Sequence, residues 1–126
     1  MIERIEYSDI EHLLPVLKKY QIRTDKRAKY FGIYVDGELA SFVGYKMVGK
    51  IATLESGYTL DKYRMRGFYK RLHIHRLNYI RLNEECTYAR VTCTDDSKHL
   101  HRKMGATLKH IYRVSRWEKY EYKICE

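Results

Sequence analysis

The chain has 126 residues, 44% of them apolar, and a net charge of +9. That composition excludes disorder, and the length sets the expectation of a single domain over residues 1–126. No apolar run approaches the ~20 residues of a membrane span, "MIERIEYSDIEHLL" lacks a small-residue cleavage site, and Cys86, Cys93 and Cys125 lack C-x-x-C spacing. The expectation is therefore a cytoplasmic protein with neither a disulfide framework nor a metal site.

In chain order, "MIERIEY" reads as a short strand. "SDIEHLLPVLKKY" reads as a helix, with Ser8 and Glu11 at capping-box spacing and Ile10, Leu13, Leu14 and Leu17 on one stripe. Pro15 lies too deep for the first turn of that helix, so a kink or a frayed start is expected. "YFGIYVDGELASFVGYKMVG" alternates around Asp36-Gly37, a strong hairpin signal, and "KIATLESGYTL" adds a third antiparallel strand. A glycine-containing loop then enters a helix at about residues 67–83, whose apolar arc is interrupted by Arg76. "TYARVTC" is β-rich, "DDSKHLHRKMG" is a short helix closed by Gly105, and "ATLKHIYRVSRWEKYEYKI" holds one or two strands. The sum is an α+β domain, a mostly antiparallel sheet with helices on its faces.

The charge is uneven. Residues 1–50 carry nine Lys/Arg against seven Asp/Glu, and residues 51–126 carry sixteen against nine. The second half faces something anionic: a nucleotide, a nucleic acid or an acidic protein. Its densest part is "DKYRMRGFYKRLHIHRL". A helix N-terminus presents unpaired N–H groups, and a glycine lets a phosphate reach them. Gly67 supplies the approach, and Arg64, Arg66, Lys70 and Arg71 add charge. A solvated basic helix is the plain alternative.

The stretch "LESGYTLDKYRMRGFYKRL" resembles the acyl-CoA-binding core of the GNAT N-acetyltransferase superfamily, in which a strand leads through an R/Q-x-x-G-x-G/A loop into a helix. Here the loop is Arg64-Met65-Arg66-Gly67-Phe68-Tyr69, with tyrosine at the second small position. A later pattern of that superfamily, N-x-x-A-x-x-x-Y-x-K-x-G-F, meets Thr94-x-x-Ser97-x-x-x-His101-x-Lys103-x-Gly105-Ala106. The likeness runs over residues 28–115.

The resemblance implies a GNAT-like sheet and an acetyl-CoA-dependent N-acetyltransferase working by direct attack in a ternary complex. It places the CoA diphosphate on residues 65–69, with Lys70, Thr94 and Ser97 nearby, and the pantetheine arm along Tyr58, Thr59 and Leu60. Glu55, nine residues before Arg64, stands where some members carry the base that takes the amine proton. His101 takes the place of a tyrosine that protonates the departing thiolate, a task open to an imidazolium, with Tyr112 as a spare donor. His73, His75 and His99 read as surface or packing residues, and Arg76 and Arg81 as solvated. The acceptor amine is expected on an acidic protein or a nucleic acid. A basic nucleic-acid-binding module and an inactive protein of the same fold are the alternatives.

Overall fold

A computed structural model describes residues 1–93, 98–113 and 117–124. Its strands are β1 (Ile2–Ile5), β2 (Lys29–Val35), β3 (Glu38–Val48), β4 (Ile51–Thr59), β5 (Tyr88–Cys93), β6 (Thr107–Ile111) and β7 (Glu118–Lys123). They form one sheet in the order β1-β2-β3-β4-β5-β7-β6. Only β4 and β5 pair in parallel; the other neighbours are antiparallel. The helices are α1 (Leu14–Lys19), α2 (Phe68–Asn83) and α3 (Lys98–Lys103).

The sheet is sandwiched. On one face Leu72, Leu77 and Ile80 of α2 pack against Phe31, Ile33, Val43, Ala52, Leu54, Ala89 and Val91. On the other, Ile10, Leu13 and Leu17 pack against Ile5, Tyr30, Leu39, Phe42 and Tyr58. Covering both faces explains why β3 is buried from Leu39 to Tyr45 rather than alternating. Each large apolar side chain so buried contributes roughly 1.5–3 kcal/mol.

The hairpin signal holds. Asp36 and Gly37 have φ of 50° and 79°, the pair of positive values that a two-residue turn between twisted strands requires. The first predicted helix is shorter than its pattern. Two 3₁₀ turns, Tyr7–Asp9 and Glu11–Leu13, precede α1, which begins at Leu14 with Pro15 in its first turn. The capping contact forms earlier than Ser8/Glu11: the Glu6 amide donates to Asp9 Oδ2 at 2.8 Å. Pro15 lacks an N–H, so the α-helical ladder starts where that N–H is not needed. Gly105, at φ 89°, follows α3 as expected of a helix stop.

Candidate active site

The strands β4 and β5 pair from Ile51↔Tyr88 to Leu54↔Val91, where their pairing stops. Past that point β4 runs on to Thr59 and, among the described residues, pairs with β3. The β3–β4 register passes from Gly44↔Glu55 to Phe42↔Tyr58, so Ser56 and Gly57 together face Val43. This bulge reverses the alternation. Leu54 belongs to the α2-side core and Tyr58 to the α1-side core. Plain alternation would have set Glu55 opposite both. The extra residue instead leaves Glu55 opposite Leu54 and on Tyr58's side.

Glu55 is half-buried, and burial raises its carboxyl above the usual range, with Asp25 adding to the rise. Lys46, Arg27 and Arg23 pull the other way, which places three cations and one further carboxylate around it. Asp25 ties two of them, accepting from Lys46 at 2.8 Å and from Arg27 at 3.2 Å. Such a group is a base in a partly dehydrated setting.

The loop after β4 departs from ordinary backbone twice: Met65 has φ of 65° and Gly67, the N-cap of α2, has φ of 75°. A Cβ placed on Gly67 would meet nothing within 4 Å, so the backbone there is open to an incoming group. The first intrahelical bond runs from the Arg71 amide to the Gly67 carbonyl at 3.1 Å. The amides of residues 68–70 therefore have no partner in the helix and carry the positive end of its dipole. Arg64 lies across the end of β4, donating from Nε to the Thr59 carbonyl at 3.3 Å and pairing with Asp61 at 3.2 Å. Arg66 lies over the Tyr63 ring at 5.3 Å, and Met65 is fully exposed. A diphosphate fits this loop in charge and in access.

Beneath the loop runs a buried polar chain that the sequence pattern did not reveal. Arg76 is 1% exposed, not solvated. Its Nη1 donates to the Gly44 carbonyl at 2.9 Å and, more weakly, to the Glu55 carbonyl at 3.4 Å. It thereby ties α2 to the two strands at the bulge. Its Nη2 meets His73 Nδ1 at 2.6 Å. His73 Nε2 meets the Tyr122 hydroxyl at 2.9 Å, that hydroxyl meets His101 Nδ1 at 2.5 Å, and His101 Nε2 meets the Tyr69 hydroxyl at 3.3 Å. Burial, then the Arg76 cation, drives His73 far below the usual imidazole range and pushes His101 down to about 4. Burial also lowers the Arg76 guanidinium, an effect partly offset by the Tyr69 hydroxyl beside it. Arg76 Nε is the one buried side-chain N or O atom without a partner among the described residues.

Three residues take places that the sequence did not give them. His101 is not an imidazolium at neutral pH; it is buried, and burial keeps it neutral. Tyr69 does not crowd the phosphate approach: its ring turns inward onto β4, where a Cβ on Gly57 would sit 2.3 Å from Cε1. Tyr112 stands apart at the end of β6, on the outer edge of the sheet, with its ring on His110 at 4.7 Å. Tyr58, Thr59 and Leu60 lie at the end of β4 as expected, with the Tyr58 carbonyl accepting from Ser41 at 3.2 Å and the Leu60 amide donating to Ala40 at 2.9 Å. Phe68 and Lys70 open α2, and Thr94 and Ser97 lie outside the described residues. The missed residues had one signal: His73, Arg76, Leu77 and Ile80 share a helix face, so a cation there was already on the buried side.

No family model matches this sequence. No curated protein matches it either. Solved structures do, across almost the whole chain. A Klebsiella pneumoniae protein assigned as an acyl-CoA N-acyltransferase superposes with a TM-score of 0.80 at 12% identity, over 99% of this chain and 97% of that one. Arabidopsis thaliana NAA60, solved with acetyl-CoA, gives 0.76 at 16% identity over 98% of each chain. The PaiA N-acetyltransferase of Thermoplasma acidophilum, solved with coenzyme A, gives 0.76 at 15% identity, also over 98% of each. At these identities the likeness is one of fold. This chain has the fold of the GNAT N-acetyltransferases.

Proposed function

We propose that the protein is an N-acetyltransferase that uses acetyl-CoA as acyl donor and passes the acetyl group directly to an amine. One observation carries this reading: the open, left-handed turn at Gly67 heads α2 beside the place where β4 and β5 part. The amides of residues 68–70, with Lys70 and Arg71, would take the diphosphate. The edge of β4 past Leu54, where its pairing with β5 ends among the described residues, would take the amide groups of the pantetheine arm. Glu55 is the group available to accept the proton that an ammonium must lose before it attacks. NAA60 and PaiA bind acetyl-CoA or coenzyme A on the same fold, which supports the choice of donor.

The acceptor we propose carries an anionic group near its amine. Support comes from Arg23, Arg27 and Lys46 around Glu55, set against Asp25. The basic residues of α3 and β6 serve this less well, because Arg102 pairs with Glu118 at 2.8 Å and Lys109 lies 3.9 Å from Glu121.

Calorimetry of acetyl-CoA with wild type and with a folded Gly67→Val variant tests the donor. A β-branched side chain disfavours φ near 75° and fills the approach to the amides. Wild type binds and the variant loses most of the affinity; equal affinities, or none in wild type, remove acetyl-CoA from the reading.

A further inference from the structure

The buried chain from Arg76 to Tyr69 has a direction, and only one assignment of protons satisfies it. A guanidinium has donors and no acceptor, so His73 Nδ1, 2.6 Å from Arg76 Nη2, is bare. Neutral His73 then carries its hydrogen on Nε2 and donates it to the Tyr122 oxygen. If His101 also donated to Tyr122, from Nδ1, the Tyr122 hydroxyl would face two donors and its own buried proton would have no acceptor among the described residues, a costly arrangement. Tyr122 therefore donates to His101 Nδ1. Neutral His101 carries its hydrogen on Nε2 and donates it to the Tyr69 oxygen. The Arg76 guanidinium stands beside the same oxygen. Tyr69 thus receives and does not give. Among the described residues no acceptor takes its phenolic proton.

The position of that proton matters. The Tyr69 ring lies against Gly57 in the stretch of β4 that β5 has left. On the α2 side of the sheet stand Tyr69 and its chain; Glu55 projects to the other side. A proton acceptor and a proton donor therefore lie on opposite faces of β4, near the place where its pairing with β5 ends.

We propose that Tyr69 is the catalytic acid of the transfer, and that His101 is a positioning residue that aims it. The assignment rests on the acetyl-CoA reading above. The amine nitrogen bonds to the thioester carbonyl carbon, and the C–S bond breaks with its electron pair on sulfur. Tyr69 gives its phenolic proton to that sulfur, which otherwise leaves as a thiolate; a cysteine thiol titrates near about 8.5, so at neutral pH the thiol is the stable form of the departing group and protonation draws the transfer forward. The resulting phenolate is held by the His101 Nε2–H and the Arg76 guanidinium, and it regains a proton from water after CoA departs. Glu55 takes the proton of the amine and returns it to water. The tyrosine at the second small position of the loop is then a gain of function rather than a lost glycine.

The test uses acetyl-CoA with hydroxylamine as acceptor, a small amine that is neutral at pH 7 and needs no base, reading free CoA with a thiol reagent. Tyr69→Phe keeps the ring on Gly57 and removes the proton; CoA release falls by ~10²–10⁴-fold, the usual worth of a general acid, while acetyl-CoA affinity stays within about twofold of wild type. His101→Gln, which retains a side-chain N–H, keeps most of the rate, whereas His101→Ala loses it. Nitrogen-15 NMR of the wild-type histidine rings shows both protonated on Nε2, independently of any turnover. A wild-type rate in Tyr69→Phe, or His101 protonated on Nδ1, overturns the proposal. So does a wild type that binds acetyl-CoA yet does not speed CoA release. A wild type that does not bind acetyl-CoA fails at the earlier step and takes the donor reading down with it.

Discussion

Tyr69 occupies the second position of α2, and its ring reaches the backbone of β4 at Gly57. A Cβ on residue 57 would stand 2.3 Å from Tyr69 Cε1 and 3.2 Å from Cδ1, so the two residues constrain each other. Gly57→Ala forces the ring or the strand to move. It should destabilise the fold by about 1–3 kcal/mol, the usual cost of overpacking a tight site. In a Tyr69→Ala background the same substitution should cost far less, and urea unfolding of the four proteins gives the coupling directly. Additive effects would mean that the ring does not rest on Gly57. Single residues were the least legible part of the sequence. Arg76 read as solvated because charge suggests solvent, and His101 was placed only by the resemblance, as an imidazolium donor; both are buried and hydrogen-bonded. Side chains from α2, α3 and β7 meet in this chain, and helical spacing on one element does not report a partner from another.

At the level of elements, the hairpin, β4 and the helix at about residues 67–83 followed from alternation, Asp36-Gly37 and the glycine loop. The β4 bulge did not. A bulge is two residues on one strand against one on the next, so it exists only in the pairing and leaves no mark on either strand alone. Its consequence is functional: it lets Gly57 face Tyr69 while Glu55 and Tyr58 share the α1 side. Glu55→Gln keeps the shape of that stretch and removes the base. Turnover with the natural acceptor should fall by ~10²–10⁴-fold with acetyl-CoA affinity nearly intact. Because burial raises the Glu55 carboxyl, the acid limb of the wild-type pH profile should lie above the ordinary glutamate range. The deficit of the variant should shrink at high pH, where the free amine is already present. Steady-state rates between pH 5.5 and 9.5 decide it; equal rates at pH 7 would place the base elsewhere.

Across the whole molecule, the net charge of +9 and the uneven halves were readable from the sequence, but the pH response of the fold was not, because it depends on which charges are inside. His73 and His101 are 0% exposed and both are depressed from 6.5, His101 to about 4 and His73 further. A histidine that is harder to protonate in the fold than in the unfolded chain binds fewer protons when folded. Its stabilising effect is full above 6.5 and is lost as pH falls towards the folded value. Each such group can steepen the loss by about 1.4 kcal/mol per pH unit, and His101 alone commits on the order of 3 kcal/mol between pH 6.5 and 4. The lowered carboxylates Asp25, Glu38, Glu84 and Glu118 withdraw their support only as pH falls through the acid range below 4.5. Glu55, raised, works in the opposite direction just above it. The window from pH 6.5 to 5 therefore belongs mainly to the two histidines. Urea midpoints should hold steady from pH 8 to 7 and then fall steeply towards pH 5. His101→Gln, which cannot take up a proton, should flatten that fall by about half. A midpoint that stays level down to pH 5 would mean that the histidines are solvated or charged in the folded protein, and the directional chain behind Tyr69 would go with them.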